Sequence, residues 1–191
     1  MKHKVALVLV LCLAAIGMLG IGASAAAADT GWPGVGTPQV AHVQPDGSWW
    51  SGGAGWGNDY TAYASGTPIP ARDSVSMYME IVDPNKSNMQ QVPQIFLISV
   101  TVKGADGIVL KTTEAQSALF WHPVKWYPAP AGWWRGWEAH VGQLPAGTYQ
   151  VTFVQHLTTT VETSYLDDSG NWMPVVIKPF KDISRFSFTV Q

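Results

Sequence analysis

Residues 132–153 read "GWWRGWEAHVGQLPAGTYQVTF", two alternating runs joined by a proline-glycine turn. In the first run Trp133, Arg135, Trp137, Ala139 and Val141 share one side, and Trp134, Gly136, Glu138 and His140 share the other. After Leu144-Pro145-Ala146-Gly147, a second run sets Tyr149, Val151 and Phe153 against Thr148, Gln150 and Thr152. A period of two with one apolar side is the mark of half-buried antiparallel strands. The Trp133 side runs into small and apolar residues, so it is assigned inward. Arg135 is its awkward member, which must escape at an edge or find a carboxylate. Trp134, Glu138 and His140 then face outward.

The same reading extends to both sides of this stretch. "SVSMYMEI" places Val75, Met77, Met79 and Ile81 on one face. "QIFLISVTVKGADGIVLKTT" alternates Phe96, Ile98, Val100 and Val102, turns at Ala105-Asp106-Gly107 and returns from Ile108 to Thr112. "ALFWHPVKW" reads as a short strand bent or edged by Pro123, and "YPAPAG" as a loop. Asp167-Asp168-Ser169-Gly170-Asn171 reads as a hairpin turn before Phe186, Phe188 and Val190 alternate again. No stretch after the leader carries a convincing helical period. The expectation is an all-β antiparallel sandwich of about seven to nine strands.

Leu144-Pro145-Ala146-Gly147-Thr148-Tyr149 and its flanking strands resemble the approach to the penultimate strand in bacterial immunoglobulin-like and fibronectin-III-like modules, over roughly residues 60–191. The resemblance implies an immunoglobulin-like sandwich in which Tyr149 is the corner tyrosine, its hydroxyl bonded to nearby backbone. It implies no particular function, because such sandwiches serve as spacers, adhesins and binding modules.

The chain begins "MKHKVALVLVLCLAAIGMLGIGASAAAADT": basic residues, an apolar run and a tail of small residues. This reads as a secretory signal peptide over residues 1–28, cleaved between Ala25 and Asp29, with a retained anchor as the alternative. Cys12, the single cysteine, leaves with it and has no lipoprotein box. About 160 residues remain, enough for one core and with no disulfide to help it. Residues 29–70 are a Gly-, Pro- and Trp-rich arm, of which Gln39–Val43 and Ser48–Trp50 form a short hairpin about Pro45-Asp46-Gly47. Trp32, Trp49, Trp50 and Trp56 are too many large side chains for a free linker, so part of this arm should pack on the sandwich of residues 71–191.

Eleven lysines and arginines stand against 13 aspartates and glutamates, with no basic stripe. A nucleic-acid partner is therefore not expected, nor a membrane span once the leader is removed. The chain has no G-x-S-x-G elbow, and "SGGAGWG" follows no strand and opens no helix, so no phosphate loop or cofactor is expected. Asp83–Asn88 and Asp167–Asn171 hold oxygen ligands, but neither ends in the glutamate of a calcium loop, and both suit local turn bonding. His42, His122, His140 and His156 lack metal-ligand spacing, and Glu80, Glu114, Glu138 and Glu162 stand apart in sequence.

What remains is ten tryptophans. Most should pack the core, Trp133 and Trp137 among them. An outward Trp134, with Glu138 and His140 as polar neighbours and Gly136 leaving space beside it, is the expected ligand-contact site, the alternative being that the tryptophan-rich arm before residue 70 covers it. The reading is a secreted or cell-surface, non-catalytic binding or assembly module whose partner is a polysaccharide or a cell-surface protein, with a carbohydrate-binding module using the exposed tryptophan as its more specific alternative. A small enzyme or copper-handling protein using His122, His140 or His156 is the alternative.

Overall fold

The computed structural model describes residues 36, 38–47, 49–53, 61–62, 68–128, 131–167 and 169–191. Residues 1–35, where a leader and its cleavage site are expected, and Trp56 lie outside them, so Trp32 does too. In chain order the strands are β1 (Gln39–Val43), β2 (Trp49–Gly53), β3 (Thr61–Ala62), β4 (Ser74–Asp83), β5 (Phe96–Gly104), β6 (Gly107–Lys111), β7 (Lys125–Pro128), β8 (Ala131–Gln143), β9 (Gly147–Leu157), β10 (Val161–Leu166), β11 (Trp172–Ile177) and β12 (Phe180–Val190). One sheet has the order β2-β1-β4-β8-β7, the other β3-β12-β9-β5-β6, and β10-β11 form a separate hairpin. Neighbours are antiparallel except β3, which runs parallel to β12. The chain is an all-β sandwich. It has twelve strands among the described residues, against the seven to nine expected, because short strands and the β10-β11 hairpin add to the main ladders.

The alternating side chains make the core. Val75, Met77, Met79 and Ile81 of β4 face Phe96, Ile98, Val100 and Val102 of β5, together with Val151 and Phe153 of β9 and Phe186 and Phe188 of β12. Trp137 spans the layers, its ring 5.5 Å from Phe153 and edge-on to it. Fully burying one such side chain contributes about 1.5–3 kcal/mol, so a cysteine-free core of this content can hold the fold. At the corner before β9, the Tyr149 hydroxyl donates to the Pro145 carbonyl at 2.7 Å, and its ring stacks on Phe188. Gly104 lies against that ring: a Cβ there would come within 2.8 Å of it.

Two helical segments depart from the sequence reading. The helix α1 (Lys86–Ile95) begins inside the Asp83–Asn88 segment read as a turn and runs up to β5, and Glu114–Phe120, part of which was expected to be strand, is a 3-10 helix. Pro93 hides α1 in the sequence, since a proline inside a helix removes a hydrogen bond. Asn85 caps the helix by accepting from the Ser87 N–H, and Met89, Val92 and Pro93 are buried beneath it. The bond that Pro93 cannot make is replaced. The orphaned carbonyl of Met89 accepts from Arg135 Nη1 at 2.9 Å, and Arg135 Nε donates to the His122 carbonyl at 2.8 Å. The inward arginine thus takes backbone carbonyls rather than a carboxylate, and burial pulls its guanidinium pKa below the usual value.

The 3-10 helix closes a sheet edge. β6 pairs with β5 only from Thr101 to Gly104. Beyond that, the hydroxyls of Thr112 and Ser117 accept from the N–H groups of Val100 and Ile98 at 2.9 and 2.8 Å. Side chains here replace a missing strand, which blunts an edge open to pairing. The first residue of the helix, Glu114, bonds Lys181 at 2.7 Å and His156 at 3.0 Å, and these bonds hold its carboxyl below the ordinary range.

Candidate functional site

Strands β4 and β8 pair Ser76 with His140, Tyr78 with Glu138, Glu80 with Gly136 and Val82 with Trp134. Alternation puts these eight residues on the face turned away from the core. Trp134 Nε1 donates to Glu80 Oε2 at 2.7 Å, and the Tyr78 hydroxyl donates to the same oxygen at 3.1 Å. The indole lies along its own strand over Gly136, where a Cβ would sit 2.9 Å from Cζ2. Gly136 therefore gives the indole its bed, rather than the open space expected from sequence. Only glycine admits so close a ring at that position.

Glu138 is the second node. The His122 N–H donates to the Gly136 carbonyl at 2.8 Å, which brings the imidazole alongside β8. His122 Nε2 then lies 3.0 Å from Glu138 Oε2, and with the carboxylate ionised that nitrogen carries the hydrogen. His140 Nδ1 is 2.8 Å from Ser76 Oγ and 3.6 Å from Glu138 Oε1. The Glu138 side chain is 13% exposed and that of His140 74%, so the carboxylate is fixed and the imidazole reaches solvent. Lys125 extends toward the Trp134 ring, 5.8 Å from its centre.

The structure brings Trp134, Glu138 and His140 onto one face, with Trp134 half-buried. Ser76, His140 and Glu138 do not form a nucleophile relay, because hydroxyl and carboxylate approach the same imidazole nitrogen and Ser76 is only 1% exposed. No group of three histidines, cysteines or carboxylates among the described residues is placed to hold a metal ion. His156 lies with Glu114 on the other sheet, and His42 is buried against Asp73 at 2.7 Å.

The two acidic loops are bonded internally. Asp83 accepts from the Asn85 N–H at 2.6 Å, from the Asn88 amide and from the Thr163 hydroxyl. These partners are donors, and they tie β4, α1 and β10 together. Asp167 Oδ1 accepts from the N–H groups of Ser169 and Asn171, as a turn aspartate does.

Across the sheet from Trp134, Trp137 is fully buried, whereas Trp133 is half-buried at the rim of the core. Trp133 packs against Trp126 of β7 with ring centres 5.2 Å apart, and Lys86 lies 4.3 Å above it. Trp126 is 52% exposed, the most open tryptophan among the described side chains. Nothing in the sequence singles it out, because Pro123 and Pro128 interrupt the alternation on either side; the remaining signal is a lone strand-forming Lys-Trp-Tyr.

No protein-family model matches the chain, and neither a curated protein nor a solved structure is similar to it.

Proposed function

We propose that this chain is a secreted, non-catalytic, immunoglobulin-like binding module and that it binds polysaccharide outside the cell. The leader-like start supports export. The immunoglobulin-like frame is supported by strand order: leaving aside β2, β3, β6 and the β10-β11 hairpin, the first sheet runs first-second-fifth-fourth and the other seventh-sixth-third. Reduced to those seven strands, the order agrees with that of an immunoglobulin domain, and the Tyr149–Pro145 bond is in keeping with a corner tyrosine.

The observation that carries the ligand class is the Trp134 indole, pinned by Glu80 and flanked by Glu138, His122, His140 and Lys125. An aromatic face takes the C–H side of a sugar ring by dispersion and by its quadrupole. Carboxylates and imidazoles at the rim accept and donate to hydroxyls. Such a mixture fits a polyhydroxylated ring better than a purely apolar ligand.

Protein recovered from the medium or periplasm should have a mass lacking the leader. It should bind at least one insoluble polysaccharide or cell-wall preparation with a change in tryptophan fluorescence, and Trp134→Ala should weaken that binding about ten-fold, a loss of about 1.4 kcal/mol. Failure to bind any of these materials, or equal binding by a folded Trp134→Ala variant, overturns the reading.

A further inference from the structure

We infer that the β7-β8 hairpin carries a second subsite on the side opposite Trp134, built from Trp126, Trp133 and Lys86, and that the ligand is a carboxylate-bearing polysaccharide. This rests on the polysaccharide reading above and narrows it. The hairpin pairs Lys125 with Trp134 and, one residue on, Trp126 with Trp133. Successive strand residues point to opposite faces, so Lys125 and Trp134 stand on one side of it and Trp126 and Trp133 on the other. On one side Lys125 approaches Trp134; on the other Lys86, from the exposed start of α1, stands 4.3 Å over Trp133 beside the open Trp126.

Lys86 and Lys125 have no ion pair among the described residues. Asp83, the strand partner of Trp133, accepts from Asn85, Asn88 and Thr163. Two ammonium groups without an ion pair among the described residues, beside the indoles of Trp126, Trp133 and Trp134, complement a ligand that offers sugar faces and negative charge together. β7 is the last strand of its sheet, so a chain can pass over this edge and reach both sides. A flat anionic membrane can meet only one side at a time, which favours a flexible polymer.

The test uses the exported protein, oligogalacturonate and its fully methyl-esterified form, which keeps the rings and removes the charge. The acid form should bind about ten-fold more tightly than the ester, and Lys86→Gln should reduce that preference to about three-fold, Lys125 supplying the rest. Trp126→Ala should weaken binding of the acid form about ten-fold without moving the melting midpoint. If Trp126→Ala does lower the midpoint, the Lys86→Gln result decides.

Equal affinity for acid and ester, or no effect of either variant, overturns this inference. So does binding to phosphatidylglycerol vesicles in place of either oligosaccharide. Binding of neutral insoluble polysaccharide with Trp134-dependent fluorescence would leave the broader reading standing while this one falls; no carbohydrate binding of any kind would remove both.

Discussion

On the inward side of β8, Trp137 and Ala139 meet Met79 and Met77 across the strand pair and are fully buried; on the outward side, Trp134, Glu138 and His140 meet Val82, Tyr78 and Ser76. Both sides obey the same alternation. The inward contacts are shape against shape, and what they require is volume. The outward contacts are directed bonds: indole to Glu80, imidazoles to Glu138 and Ser76. A side specified by volume serves the fold, whereas a side specified by hydrogen-bond geometry and still reaching solvent can also serve a ligand.

The largest effect expected from breaking this contrast is at Trp137. Its ring contacts Phe153 and Phe120, and its Nε1 donates to the Ser117 carbonyl at 3.2 Å. Trp137→Ala should cost about 3–5 kcal/mol in denaturant unfolding. A loss no larger than that of an exposed substitution would mean that the inward side is not the core.

Alternation made β4, β5, β8, β9 and β12 legible, because each buries one side along most of its length. It also separated Trp137 from Trp134. It failed where bonding rather than hydrophobic period decides the backbone. Helix α1 is short and holds Pro93, so nothing in residues 83–95 announces it; its stability comes from the Asn85 cap, its buried side and an arginine 42 positions after Pro93 in the chain. The 3-10 helix is likewise fixed by what it covers, the open edge of β5, where Ser117 accepts from Ile98 as Thr112 just before the helix accepts from Val100. Of the candidate site, residue types and their side of the strand were readable. The bond of Trp134 to Glu80 and the packing of its ring on Gly136 were not, since both depend on which strand lies beside β8 and in what register.

Arg135 sharpens the contrast as the inward residue that behaves like an outward one. Arg135→Met keeps much of the packing but leaves the Met89 and His122 carbonyls without this donor, at a cost of about 1–3 kcal/mol. Pro93→Ala restores an N–H that can reach the Met89 carbonyl within the helix. In that background the cost of Arg135→Met should fall by about one hydrogen bond, ~1 kcal/mol. Strict additivity in the double-mutant cycle would show that the arginine does not substitute for the missing helix bond.

The smallest effect is expected at Gly136, on the outward side. A Cβ placed there meets Trp134 Cζ2 at 2.9 Å, Cη2 at 3.0 Å and Tyr78 Cε2 at 3.2 Å. Gly136 is a strand residue without positive φ, so alanine is tolerated by the backbone and the conflict lies with the rings alone. A ring on the outward side can yield where one in the core cannot. The indole should swing away from Gly136 and give up its bond to Glu80, for a net cost of about 1 kcal/mol. In a Trp134→Ala background most of that cost should vanish, leaving only the tighter approach to Tyr78. The fluorescence response to polysaccharide should be lost in Gly136→Ala while the melting midpoint moves little. A fall of several kcal/mol would show that the ring has nowhere to go, and that this side of β8 is held by packing as tightly as the core.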